Sequence, residues 1–189
     1  MTTYRKSLAF VTVISAILIL AACAGRTKVE SNLHIKGAPD WVNEGTNILK
    51  HDNDRLFHGV GMAPDMGDMS LQASTADDRA RAEVAKILTS FMQVVSRDYT
   101  AAAKGGNDSM LEQSISRQID NVSRINLTGS RIIGHWRDEK TNVIYSLAEI
   151  DMQQLKSTLQ GVQDMDAGFK DRIAKQGDNI FDRMLEEHK

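Results

Sequence analysis

The chain has 189 residues, 25% of them charged, 41% hydrophobic and 5% aromatic. These values are ordinary for a globular protein, and the length suits one domain plus appendages. The formal net charge is -2. Residues 1–22 hold Arg5 and Lys6 and no acid, so without them 21 basic residues face 25 acidic ones. A mildly acidic body lacks the basic footprint of a nucleic-acid binder, and no nucleic-acid partner is expected.

The chain opens on a short positive stretch, Met1 to Lys6, followed by Ser7 to Ala22 without a charge. That apolar run is shorter than the roughly 20 residues a helix needs to cross the hydrocarbon core. A positive start, a short apolar run and small residues at its end are the parts of an export signal. Leu20-Ala21-Ala22-Cys23 then matches the lipobox cut by lipoprotein signal peptidase, and Cys23 is the only cysteine. No internal disulfide can form. An uncleaved anchor helix and a plain secreted chain are the alternatives; the second would leave Cys23 as an unpaired thiol. Acylation of Cys23 would hold the protein on a membrane, because each buried methylene contributes about 0.8 kcal/mol and two or more chains anchor stably. Residue 24 is alanine, not the aspartate that known lipoproteins associate with inner-membrane retention. The outer membrane, with the domain facing the periplasm, is therefore expected.

Residues 23–37 read as a polar tether, with an edge strand near Ser31–Lys36 as the alternative. The folded domain is expected over residues 38–160, opening at Pro39-Asp40-Trp41-Val42 with Trp41 as a core plug. Leu56 to Gly61 reads as the first strand, closed by Pro64. Gly59 and Gly61 do not make a phosphate loop, because the third glycine of that fingerprint is replaced by Pro64. They instead suggest close approach of another element. Ala73, Ala76, Ala80, Val84, Ile87, Phe91 and Val95 recur at helical spacing, and the small early members would let the helix sit against those glycines. Asp68 or Ser74 could cap it, with Asp77 and Asp78 near its positive start. Gly105-Gly106 ends this helix. A second, carrying Leu111, Ile115, Ile119, Val122 and Ile125, runs from about Ser109 to Gly129.

Arg131–Arg137 and Asn142–Ile150 read as a hairpin around Asp138–Thr141. The second strand is apolar on both faces, so either the C-terminal segment or a partner should cover the second one. Asp151 is the expected cap of a helix over Met152–Leu159. Residues 161–189 form a last amphipathic helix with Met165, Phe169, Ile173, Ile180 and Met184 on its apolar side. The order β-α-α-β-β-α plus a C-terminal helix predicts an α+β domain, with a small antiparallel sheet of about three strands and helices mainly on one face.

Chemistry is sparse. No G-x-S-x-G nucleophile elbow occurs. His34, His51, His58, His135 and His188 are scattered, without the clustering a zinc site needs, and read as surface or satisfied core residues. Met62, Met66 and Met69, close to His58, suggest a Cu(I) site through thioether ligands, or simply gap-filling methionines. Asp77, Asp78 and Glu83 read as a solvated helix face. No catalytic, cofactor-binding or metal-ligating residue is assigned, and Cys23 is the one site residue.

The lipobox, Pro39-Asp40-Trp41-Val42, His58-Gly59-Val60-Gly61, Ala80 to Leu88 (ARAEVAKIL) and Tyr145-Ser146-Leu147-Ala148 follow one another as in the Lpp-twenty lipoprotein family, which the chain resembles over about residues 38–160. The C-terminal Phe181-Asp182-Arg183-Met184-Leu185 is also similar. The resemblance implies a non-enzymatic structural lipoprotein, since the family includes a flagellar outer-membrane lipoprotein that oligomerises around the motor and is needed for motility. The expected function is a structural or assembly role in the cell envelope, through self-association or envelope protein partners. A tethered periplasmic regulator of a peptidoglycan synthase is the second reading, and a Met-rich copper-binding lipoprotein the third.

Overall fold

The structure, a computed structural model, describes residues 33–52, 54–102, 113, 115–117, 119, 129–163 and 165–187. Cys23, the leader and most of the tether lie outside the described residues. So do Gly105-Gly106, Leu111, Val122, Ile125 and His188. Ser31–Lys189 forms one compact unit, and no helix among the described residues is long and apolar enough to cross a membrane.

The elements are α1 (Asp40–Glu44), β1 (Asn47–His51), β2 (Asp54–Ala63), α2 (Met69–Ala102), β3 (Arg131–Arg137), β4 (Ile144–Asp151), α3 (Met152–Gln160) and α4 (Ala167–Glu187). Residues 113, 115–117 and 119 are also helical, within the second expected helix. The fold is α+β, as expected. Its sheet has four antiparallel strands in the order β1-β2-β4-β3, where about three were expected. The added strand is β1, which pairs with β2 from Asn47↔His58 to His51↔Asp54. Residues 33–36, the alternative edge strand, are not extended ladder.

Strand β2 crosses the whole sheet beside β4, from Leu56↔Asp151 to Ala63↔Ile144. Side chains opposite each other in such a pair share a face, so the register sorts the sheet cleanly. One face carries Phe57, Gly59, Gly61 and Ala63 of β2 with Ile150, Ala148, Ser146 and Ile144 of β4. Helix α2 lies on it. A Cβ added at Gly59 would meet Val84 N at 2.6 Å, and one at Gly61 would overlap Ala80 N, Ala76 O and Arg79 C. The glycines therefore admit the helix backbone, as their spacing predicted.

Helix α2 has 34 residues, about 50 Å at 1.5 Å per residue. Its buried stripe is Gln72, Ala76, Ala80, Val84, Leu88, Phe91, Met92 and Val95. Leu88 rather than Ile87 fills the middle position, and Ile87 packs at the flank. The cap is Asp68, whose Oδ1 accepts from Ser70 N at 2.8 Å and Leu71 N at 3.0 Å. Ser74 instead donates to Leu71 O. With the helix starting at Met69, Asp77 and Asp78 lie two turns inside it rather than at its start.

Helices α3 and α4 complete the same layer. Asp151 caps α3 by accepting from Gln154 N at 2.6 Å. Met165, Phe169, Ile173, Ile180 and Met184 are buried as expected, together with Ile115 and Ile119 of the partly described helix. Phe57 sits between Phe91 and Phe181, with ring centroids 5.6 and 5.0 Å away. Asp182 of α4 clamps this helix to the first hairpin. It accepts from Arg55 Nε at 2.9 Å and Arg55 Nη2 at 2.7 Å, and from Lys50 Nζ at 3.3 Å. The Arg55 hydrogen bonds, and after them the one from Lys50, hold its carboxyl below the usual range despite the opposing effect of burial.

The C-terminal segment thus joins α2 on one side of the sheet and does not cover the other. What lies on the second face is the N-terminal segment around α1.

Candidate functional site: the outer face of the sheet

The second face, opposite the helical layer, is read in rows across the strands. Its first row is polar: Asn47, His58, Glu149 and Arg131 stand side by side in register. His58 Nε2 lies 2.8 Å from Glu149 Oε2, and Arg131 Nη2 donates to Glu149 Oε1 at 3.1 Å. His58 and Glu149 are 13% and 14% exposed, so this is a sheltered polar pair in which each side chain satisfies the other. The middle row is Val60, Leu147 and Gly134. Val60 N donates to Thr46 Oγ1 at 3.0 Å, and Trp41 Cζ2 would lie 3.9 Å from a Cβ on Gly134. Val42 is fully buried, while Trp41 is only half-buried. Trp41 is therefore a cover laid over Gly134, and the expected core plug is its neighbour.

The third row is Met62, Tyr145 and Trp136. The Trp136 and Tyr145 rings are 5.5 Å apart, and burial pushes the Tyr145 phenol up, with Asp138 adding to the shift. Met62 is 52% exposed and leads directly into the connection carrying Met66 and Met69. Across three rows the face changes from ionic to covered apolar to an aromatic pair in which Tyr145 is buried and Met62 alone is open to water.

The methionine cluster is not joined by His58. Four residues of extended strand separate His58 from Met62, about 13 Å, and the imidazole is engaged by Glu149. The other histidines are equally dispersed. His34 and His51 are exposed, and His135 bonds to Asp77. Among the described residues no group of three or more His, Cys, Asp or Glu is placed to hold a metal ion.

Asp77 departs from the expected solvated face. Its Oδ1 accepts from Ser146 Oγ at 2.6 Å and lies 2.6 Å from His135 Nε2. Ser146 is fully buried on the helix side of the sheet. Serine, histidine and aspartate thus meet, but both partners converge on the carboxylate. A nucleophile needs its base on the hydroxyl, so this trio is a bridge between α2 and the β3–β4 hairpin. Asp78 is exposed as expected, and Glu83 pairs with Lys86.

Sequence reasoning missed Gln72. It is buried, and its Nε2 donates to Ala63 O at 3.0 Å and Asn142 O at 2.6 Å. Its place four residues before Ala76 on the helical stripe was the available signal. Compared with known proteins, the chain matches no family model and no curated protein.

Proposed function

We propose that this protein is a non-enzymatic lipoprotein of the outer membrane, anchored through Cys23 and facing the periplasm. Its role is structural, in assembly of the cell envelope, by contacts with copies of itself or with envelope proteins. The observation that carries the reading is Leu20-Ala21-Ala22-Cys23 at the end of a charge-free run that follows a positive start. The arrangement of the domain agrees with a binding body: one face of the sheet is sealed by helices, and the other ends at the exposed Met62, which leads into a connection carrying exposed Met66 and Met69. The resemblance to the Lpp-twenty family favours the flagellar version, a component assembled around the motor.

Mass spectrometry of the exported product tests the anchor. A diacylglyceryl cysteine as its first residue is expected, and a bare thiol or an intact leader refutes the reading. Deletion in a flagellated host tests the specific role; normal swimming with unaltered motors removes it. The tethered synthase regulator is the second reading. It is favoured if the native lipidated protein is a monomer that recovers a peptidoglycan synthase in pull-downs.

A further inference from the structure

Seven large apolar side chains are exposed among the described residues; Leu33, Leu49 and Ile133 stand singly along the chain, and the other four lie close together in it. Met62 is 52% exposed, Met66 41%, Met69 61% and Leu71 51%. All four fall in the ten residues that join the end of β2 to the first turn of α2. Scattered exposed apolar residues need no explanation, whereas a contiguous group marks a contact surface.

The backbone beneath them is fastened. Asp65 Oδ1 accepts from Gly67 N at 3.0 Å, and Asp65 Oδ2 accepts from Asn142 Nδ2 at 3.3 Å. Asp68 caps α2, and Gln72 ties Ala63 to the β3–β4 turn. A pinned connection thus presents flexible thioethers, which adapt to irregular apolar surroundings, and little backbone ordering remains to oppose contact.

The route of the chain selects the occupant. Asn43 holds Ile35 through Ile35 N→Oδ1 at 2.9 Å and Nδ2→Ile35 O at 3.2 Å, and Trp41 lies over Gly134 of the outer face. The described N-terminal segment therefore lies on the side of the sheet to which Met62 belongs. Only ten residues run from Cys23 to Leu33, no more than about 35 Å of extended chain. A body anchored at Cys23 is held within that reach of the bilayer.

We propose that Met62, Met66, Met69 and Leu71 form a lipid-contacting tip that seats the domain against the membrane holding its anchor. The side chains would enter only the headgroup–acyl boundary, about 5–10 Å deep. The proposal rests on the reading of Cys23 as the anchor, and the test separates the two.

The full mature chain is placed on phosphatidylcholine vesicles and treated with hydrogen peroxide, and sulfoxide formation is followed peptide by peptide. Sulfoxidation of Met62, Met66 and Met69 is expected to be roughly threefold or more slower than in Cys23→Ser protein free in buffer, because oxidation follows exposure. Buried Met92 stays slow in both. The mass of the N-terminal peptide reports acylation separately. If Cys23 proves bare, the same comparison is made with and without saturating vesicles. Flotation of the Cys23→Ser chain with vesicles should fall severalfold on Met66→Ser/Leu71→Ser substitution, a change at two exposed positions. Equal oxidation rates overturn the tip. Protection that grows with protein concentration and no lipid overturns it in favour of a second copy. Protection in intact envelopes but not on vesicles overturns it in favour of a protein partner.

Discussion

The two faces of this sheet are built from the same strands and do opposite things. On the helix side, Phe57, Ala148 and Ile150 are wholly buried under α2, α3 and α4. On the outer side, the same two strands carry a His58–Glu149 pair, a half-covered centre under Trp41, and Met62 open to water. Burial is deepest on the helix side; on the outer side Tyr145 and Leu147 of β4 are buried as well, while β2 varies its chemistry from row to row. Substitutions that alternate along β2 should alternate in cost.

The largest effect is expected at Phe57→Ala. This ring touches Phe91 and Phe181 edge-on and is fully buried, so truncation should cost about 3–5 kcal/mol by urea denaturation. Met62→Ala, on the outer face of the same strand, should change stability by less than about 0.5 kcal/mol. Comparable losses would show that the outer face is also core. Next comes Gly61→Ala. The added methyl meets backbone of α2 at Ala76, Arg79 and Ala80, not the yielding end of a side chain. Relief requires moving the helix, at a cost of about 3 kcal/mol.

Asp182→Asn removes the charge that holds α4 to Arg55 and Lys50. Asp182 is 28% and Arg55 18% exposed, sheltered enough for hydrogen bonds to a charged group to contribute about 1–3 kcal/mol. The effect should depend on pH with a definite sign. The carboxyl is held below its ordinary value, so its stabilisation is present above the unfolded value of about 3.9 and is lost as pH falls through the folded value. Denaturation of wild type and variant should differ at pH 7 and converge in strong acid. A gap that persists there would assign the effect to packing. Ser146→Ala should be milder, about 1 kcal/mol, because His135 still reaches Asp77 when the buried hydroxyl is gone.

Much of the helix side was legible in the residues, because burial imposes a period. The stripe on α2, the two strand glycines, the Asp151 cap and the apolar side of α4 are all local patterns with long-range partners. The outer side was less so. Strand β1 reads Asn-Ile-Leu-Lys-His, with only Ile48 buried. A short edge strand carrying charge has little alternation to detect, which is also how such edges avoid further pairing. Asp77 was misplaced because helical spacing says nothing of a buried serine on a strand nearly seventy residues later. The pairing of His58 with Glu149 had the same obstacle: it becomes visible only when β2 and β4 are set in register. Cys23, by contrast, depends on a linear recognition sequence and was legible without any fold.

Gly134→Ala gives the smallest expected effect and the sharpest contrast with Gly61. Both are strand glycines within one sheet. At Gly61 the new methyl would overlap helix backbone, whereas at Gly134 it finds only Trp41 Cζ2 at 3.9 Å, an ordinary van der Waals distance. Stability should change by no more than about 0.5 kcal/mol, the range of substitutions that create neither cavity nor clash. The added contact should instead register in the emission of Trp41, read in a Trp136→Phe background so that a single indole reports. A loss approaching that of Gly61→Ala would mean that the N-terminal segment is packed as tightly as the helices. The outer face would then be a second core, and Met62 and its neighbours the edge of a sealed surface rather than the open end of a binding one.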